Sequence, residues 1–301
     1  MLTGVAQHRS EVLECLITPT GKVVSAGKQD HSLSWFSVDG LQPLVVPRIH
    51  REITTIAACP DSDDILIGDG RGWVWVQPAD RDVDQQEIEH VFEGPVRSAF
   101  LVDRQTAIAA DETGRILRVQ IIADQVEVLR RSQGLEEIRK IIPAGKHGLF
   151  WSLYYKIIQA DRHSILALHQ KDGGEEIIFS SQERISDLAV SADGEAVCLV
   201  GRTLQVLRKR SDGWKVGVER GVPEAQIDQA AFVGRDDSLL AITLSAAPYW
   251  LEIWKVDRDL MTVAATPLGS PATCFSVADN RMVIGCKSGC LVSLCLNKKE
   301  R

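Results

Sequence analysis

Residues 21–40, GKVVSAGKQDHSLSWFSVDG, hold two short runs rich in apolar and β-branched side chains on either side of a polar turn, the pattern of an antiparallel hairpin. An isolated hairpin is marginal in water, so this one needs further strands to lean on. The chain supplies them by repetition. LIGDGRGWVWVQPAD, AADETGRILRVQIIAD, QADRHSILALHQKDG, LVGRTLQVLRKRSDG, PYWLEIWKVDRD and IGCKSGCLVSLCLN echo the stretch, which makes it one of seven copies. Anchored on the first large apolar residue after each turn, the copies fall at Leu33, Trp73, Ile116, Ile165, Leu204, Leu251 and Leu291, with gaps of 40, 43, 49, 39, 47 and 40 residues.

A second shared segment lies upstream of each anchor: VLECLITPTG, ITTIAACPDS, VRSAFLVDRQ, IRKIIPAGKH, ISDLAVSADG, IDQAAFVGRD and ATCFSVADNR align without gaps. A repeat of about 40 to 45 residues with four short strands is the period of a β-propeller blade. No segment keeps a 3.6-residue apolar period over three turns, so helix is expected to be nearly absent. The expectation is an all-β, seven-bladed β-propeller of four-stranded antiparallel blades, one domain over residues 1–301. Only ten residues follow Leu291, while LTGVAQ, residues 2–7, precedes the first inner strand without a partner. Joining residues 2–7 to the C-terminal blade as its outer strand closes the ring and buries both terminal edges.

With its repeats aligned, the chain resembles the WD40 family, whose units run roughly V-x-S-V-A-F-S-P-D-G and then S-x-S-x-D-x-T-I-x-L-W-D; ISDLAVSADGEAVCLVG and SAGKQDHSLSWFSVDG match best. The family's hydrogen-bonded set of His, Ser or Thr, Asp and Trp is approached in the first blade alone, by His8, Ser25, Asp30 and, in the Trp place, Phe36. Elsewhere the Asp30 position holds Gly70, Thr113, Arg162, Gly201, Pro248 and Ser288. The resemblance implies a non-enzymatic scaffold that binds a protein or peptide at its rim. In the fourth blade, LFWSLYYKIIQADRHS admits one long strand or two.

Composition agrees with a large interior, since 45% of the 301 residues are hydrophobic and only 25% charged. No apolar run approaches the roughly 20 residues of a membrane helix, and MLTGVAQHRS lacks the basic and apolar regions of a secretory signal. Seven cysteines, an odd number, point to a reducing compartment, with the cytoplasm expected. A net charge of -7 and a pI near 5.6 disfavour a broad grip on nucleic acid or on an anionic membrane.

Cys286, Cys290 and Cys295 fall on adjacent strands without the paired knuckle of a zinc site, so they read as small buried thiols and no metal is expected. DSDD, residues 61–64, occupies a hairpin turn and lacks the glycine and bidentate Glu of a calcium loop. Trp73 and Trp75 share one face of a strand and Val74 and Val76 the other, as packing between neighbouring blades requires. LRKR, residues 207–210, lies in a hairpin followed by Asp212 and reads as a solvated turn. No nucleophile elbow, Walker loop, H-E-x-x-H or dinucleotide glycine pattern occurs, and the histidines lack short catalytic spacing; no catalytic residue and no cofactor is expected.

One constellation stands apart. In the aligned inner strands Leu13, Thr54, Arg97, Arg139, Ser186, Asp228 and Thr273 follow the first apolar residue, and Glu11, Glu52, Pro95, Glu137, Arg184, Gln226 and Pro271 precede it. Alternation turns both sets away from the buried position between them, to the rim where the inner strands begin. Arg97, Arg139 and Arg184 come from three successive blades, and the turns of blades four and five add Arg162 and Arg202. Tyr249 and Trp250 stand in the corresponding turn of blade six, where amphipathic aromatics anchor interfaces. Glu112, Glu136, Glu137, Asp161 and Glu183 offer neutralisation as the competing reading. Together with Asp228 these arginines and aromatics form the candidate set for an acidic protein or peptide partner, since Arg meets carboxylates bidentately. Two alternatives stay open: a propeller hydrolase or lactonase, for which the aligned inner positions offer a single Asp, and nucleic-acid binding through the same arginines, which lacks stacking aromatics.

Overall fold

The computed structural model describes residues 2–29, 31–45, 51–79, 86–88, 91–121, 123, 125–131, 136–145, 149–170, 173–221, 226–233, 238–278 and 280–296. Among these residues there are seven four-stranded antiparallel sheets and no helix. Each sheet is one sequence repeat, here called a blade and run from inner to outer strand. Blade 1 comprises Val12–Ile17, Lys22–Gly27, Leu33–Ser37 and Pro43–Val45; blade 2, Ile53–Ala58, Ile65–Asp69, Val74–Gln77 and Gln86–Ile88; blade 3, Val96–Leu101, Thr106–Asp111, Ile116–Gln120 and Gln125–Arg130. Blade 4 comprises Glu136–Pro143, Phe150–Ile158, Asp161–His169 and Glu175–Ser181; blade 5, Asp187–Val190, Ala196–Val200, Thr203–Arg210 and Gly213–Gly221; blade 6, Ile227–Val233, Leu239–Leu244, Trp250–Val256 and Leu260–Pro267. Blade 7 takes three strands from the C-terminal end, Ala272–Ala278, Arg281–Cys286 and Cys290–Cys295, and its outer strand from the N-terminus, Leu2–Gln7, which pairs antiparallel with Cys290–Cys295. The shared blade is the one expected from the unpartnered LTGVAQ.

Contacts gather the blades into two compact units: blades 5, 6, 7 and 1 in residues 1–17, 21–49 and 185–301, and blades 2, 3 and 4 in residues 18–20 and 50–184. Within each unit the packing rests on one buried residue at the start of every inner strand. Val12, Ile53, Val96, Ile138, Ile185, Ile227 and Ala272 occupy this place, and all are buried. In the seams where the fit is tightest, the second strand of the preceding blade has no side chain to spare. A Cβ on Gly68 would stand 2.7 Å from Val96, and one on Gly285 2.5 Å from Val12, so both positions require glycine for close approach.

The third-strand anchors Leu33, Ile116, Ile165, Leu204, Leu251 and Leu291 are buried, as alternation predicts. Blade 2 departs by one residue: Val74, not Trp73, fills its anchor place. The cause is a turn shared with blade 3. Asp69 Oδ1 accepts the backbone N–H groups of Arg71 and Trp73, both at 2.9 Å, and Asp111 Oδ1 those of Thr113 and Arg115, both at 3.0 Å. In each case a glycine three residues on has positive φ, 83° at Gly72 and 91° at Gly114, and the next strand begins five residues after the aspartate. Trp73 and Trp75 share a face, beneath the Arg51 guanidinium at 4.1 and 5.5 Å, while Val74 and Val76 pack with blade 3.

Blade 4 is built on a long hairpin whose two-residue turn, Gln159 and Ala160, has φ of 50° and 72°. LFWSLYYKIIQADRHS is thus one long strand and the opening of the next. Arg162, expected in a turn, lies inside the second of these strands, opposite Ile157. Glu136, offered as a neutralising carboxylate for the rim arginines, is engaged elsewhere: it opens its strand on the inward phase of the alternation, and its buried carboxylate meets Arg130 at 2.8 Å and Lys156 at 3.1 Å. Arg130 also reaches Glu175 at 3.1 Å and lies over the Tyr154 ring at 4.4 Å, and the Tyr154 hydroxyl donates to Glu175 at 2.7 Å. Burial and the Glu175 hydrogen bond raise the Tyr154 phenol. Burial alone would raise the Glu175 carboxyl, but the Tyr154 hydrogen bond and the Arg130 charge bring it below the usual range.

Among the described residues, two Ser–His pairs are buried. His8 Nε2 meets Ser25 Oγ at 2.6 Å and its Nδ1 meets Ser32 Oγ at 3.1 Å, with the Phe36 ring edge-on at 6.4 Å; Asp30, the remaining member of the family set, lies outside the described residues. In blade 4, Ser152 Oγ meets His169 Nε2 at 2.7 Å beneath a stacked Phe150 at 4.5 Å. Burial disfavours the imidazolium and lowers the His169 pKa to about 4.

Two outcomes follow. Deleting residues 1–8 removes the outer strand of blade 7 together with His8, stranding the buried Ser25 hydroxyl; a loss of about 3 kcal/mol or more, seen as a melting midpoint lower by about 5 °C or more, is expected in calorimetry. His169 binds its proton more weakly folded than unfolded, so the stability it contributes is complete above its ordinary pKa of 6.5 and is lost as pH falls toward about 4. Denaturant titrations at pH 7 and pH 4 should show a loss of about 3 kcal/mol that the double variant Ser152→Ala, His169→Phe lacks.

Candidate partner-binding rim

The rim positions have a structural signature beyond alternation. The pairing of inner and second strands slips between Val12 and Glu14, Ile53 and Thr55, Val96 and Ser98, Ile138 and Lys140, Ile227 and Gln229, and Ala272 and Cys274. The residues left out of the ladder are Leu13, Thr54, Arg97, Arg139, Asp228 and Thr273. Each is a β-bulge, which bends the strand and re-aims its own side chain. In blade 5 the equivalent Ser186 precedes the strand, and its N–H and hydroxyl reach the Val200 carbonyl at 2.6 and 3.1 Å.

Hydroxyls on the rim are spent on backbone. Thr54 Oγ1 donates to the Gly68 carbonyl at 3.1 Å and Thr273 Oγ1 lies 3.1 Å from that of Gly285, the counterpart of the Ser186 bond. These side chains tie off acceptors that the bulge removes from the ladder. The charged bulge residues are left for other work.

In the unit of blades 2 to 4, Glu137 gathers two of the predicted arginines: Arg139 Nη1 donates to Oε1 at 3.0 Å and Arg162 Nη2 to Oε2 at 2.5 Å. Both guanidiniums lie near the Tyr155 ring, Arg162 at 4.1 Å and Arg139 at 5.6 Å from its centroid. Tyr155 is the member that sequence reasoning missed. Its signal was the consecutive pair Tyr154–Tyr155, whose rings must take opposite faces of one strand. Asp161, offered as a neutralising carboxylate, accepts instead from the Gln182 amide at 3.3 Å. Arg97 and Arg184 are exposed, and among the described residues neither forms an ion pair.

In the unit of blades 5, 6, 7 and 1, Arg202 is exposed in the turn after Gly201 and forms no ion pair among the described residues. Asp228 is half-buried, and burial raises its pKa. Its neighbour Gln229 donates its amide to the Thr273 carbonyl, linking the bulges of blades 6 and 7. Tyr249 and Trp250 do not present one surface. They are consecutive and half-buried; Trp250 packs against the cluster shared by blades 5 and 6, and Tyr249 against that shared by blades 6 and 7.

DSDD and LRKR are occupied locally. Asp64 accepts the Ala79 N–H at 3.0 Å and the Ser62 hydroxyl at 2.7 Å, and Lys209 pairs with Glu195 at 3.5 Å. All seven cysteines are free thiols, with Cys286 pushed up to about 12 by burial and by Cys290 beside it.

Seven four-stranded antiparallel blades, numbered in chain order except for the strand lent by the N-terminus, define a seven-bladed β-propeller. The chain is similar to the β-propeller domain of Cps50 (Swd1) from Myceliophteria thermophila, known from a crystal structure: 98% of this chain and 100% of that one superpose with a TM-score of 0.81 at 13% identity. At that identity the likeness concerns the fold. No protein-family model matches the chain, and no curated protein matches it significantly.

A double-mutant cycle of Glu137→Ala and Arg162→Ala, followed by chemical denaturation, is expected to return a coupling of about 0.2 to 1 kcal/mol, the worth of an exposed pair. Tyr155→Ala should cost about 3 kcal/mol or more, because it empties a buried ring site.

Proposed function

We propose that the chain is a WD40-like interaction module, not an enzyme, and that its bulge rim binds an acidic segment of a protein partner. The observation that carries this reading is the division of labour among the arginines. Arg139 and Arg162 share Glu137, whereas Arg97 and Arg184 stand exposed without an ion pair among the described residues. An exposed guanidinium, on the bulge of blade 3 for Arg97 and just before the inner strand of blade 5 for Arg184, is a planar donor for a carboxylate. Glu137 and Tyr155 hold the neighbouring arginines in place, so a partner carboxylate meets a positive field with little side-chain ordering left to do.

Support for a non-enzymatic role comes from the Ser–His pairs. Ser25 and His8, like Ser152 and His169, have the residue types of a nucleophile and its base, yet all four are buried and join strands of the scaffold. The net charge of -7 supports a protein partner over nucleic acid. The free thiols support a reducing, cytoplasmic setting.

The test is a comparison of the wild type with the double variant Arg97→Glu, Arg184→Glu. Proteins captured from the native cell by the wild type are identified by mass spectrometry, and the recovered partner is titrated calorimetrically against both forms. Binding at least tenfold weaker in the variant, with an unchanged melting midpoint, is expected, because exposed rim charges contribute little to folding. Equal affinities would move the partner to another surface.

A further inference from the structure

The seams between blades are not filled alike. In blades 3, 5 and 6 the third-strand anchor pairs with a residue on the outer strand. In blade 3 the pair is Ile116 with Arg130, in blade 5 Leu204 with Arg220, and in blade 6 Leu251 with Thr266. Arg130 crosses to the Tyr154 ring of blade 4. Arg220 crosses to blade 6, where it lies 4.2 Å from the Trp254 ring centroid and donates to the Leu260 carbonyl at 2.6 Å. In both seams an arginine stem and an aromatic ring plug the outer part of the gap.

Between blades 6 and 7 the arginine, the ring and the valine two residues before the arginine are each replaced by a smaller side chain. Thr266 stands for Arg220. Ala264, opposite Ile253, stands for Val218, opposite Val206. Leu294, three residues after its anchor Leu291, stands for Trp254, three after Leu251. The space they leave is a half-open cavity of about 570 Å³. Native interiors rarely hold voids larger than a water molecule, and this volume falls in the range of small-molecule sites, about 300 to 1,000 Å³.

We infer that this cavity is a binding site for a small, uncharged lipophilic molecule. Among the described residues, none that lines it is charged and none is aromatic, so these residues offer a cationic plug neither the carbonyl-and-ring seat of Arg220 nor the carboxylates of Arg130. The body is aliphatic, from Leu251, Ile253, Val292 and Leu294. The hydroxyl-bearing residues of the lining are Thr266, Ser270 and Ser288, and the Ser288 N–H donates to Ser270 Oγ at 3.1 Å. That lining fits an apolar skeleton with a neutral polar group. Cys290, half-buried, lies in the wall, whereas Cys295, equally half-buried, does not.

The test uses the uncharged dye Nile red and the full chain. Saturable, one-to-one binding with a fluorescence gain is expected, and bound dye should slow alkylation of Cys290 by N-ethylmaleimide at least fivefold while leaving Cys295 unchanged, read by peptide mass spectrometry. Ala264→Val with Thr266→Arg rebuilds the blade 5 residues in blade 6 and should weaken the dye at least tenfold. Absence of saturable binding overturns the site, and so does equal dye affinity in a folded variant. Should the variant not fold, Cys290 protection in the wild type decides alone: no protection means no site. Each outcome is independent of the rim arginines, which lie on other strands.

Discussion

In two seams a single residue at the start of an inner strand determines how closely the blades approach. A four-stranded sheet has two faces to bury, and a blade does so against its neighbours. Val96 leaves no room for a Cβ on Gly68, and Val12 none for one on Gly285. The approach is set there, at the narrow inner edge, where a methyl group is too much. In blades 1 and 3 the same place accommodates a methyl group, at Ala26 and Ala110, opposite Leu33 and Ile116.

The period, the strand count and the exchange of a strand between the termini were legible because they depend on alternation and length alone. A buried residue every second position announces itself, and an unpartnered apolar hexapeptide must go somewhere. The failures have local causes. Trp73 drew the blade 2 anchor because it is large, but the turn, not size, fixes phase, and the Asp69 and Gly72 spacing that blade 3 repeats at Asp111 and Gly114 points to Val74. Arg162 was assigned to a turn because Gln159 and Ala160 carry no turn chemistry, although both adopt the left-handed backbone that Asn and Gly favour.

Rim charges were legible as positions and illegible as partners. Bulging leaves no mark on hydrophobic periodicity, yet it puts Arg97, Arg139 and Asp228 outside the ladder. Which arginines are engaged depends on residues far apart in sequence: Glu137 binds Arg162, and Glu136, its immediate neighbour, binds Arg130 behind it. Adjacent carboxylates on one strand thus serve opposite ends. Glu137 tempers the exposed rim, and Glu136 closes a buried seam whose charges would be costly if either partner were lost. Arg130, Glu136, Glu175 and Tyr154 come from four strands of two blades, a juxtaposition that no local pattern reveals.

Repetition explains why such differences coexist. In an array of stacked units each interface depends mainly on its two neighbours, so a substitution on one outer strand is felt in one seam. The seam between blades 5 and 6 invests in a cation over a ring; that between blades 3 and 4 adds carboxylates to the same device. Between blades 6 and 7 the inner edge is intact, with Ala272 buried and Gln229 bonded across to Thr273. The approach of these two blades is therefore fixed where they nearly touch, and the hollow farther out does not have to hold them together. That separation leaves the outer seam open to change, because its side chains can shrink without moving either sheet.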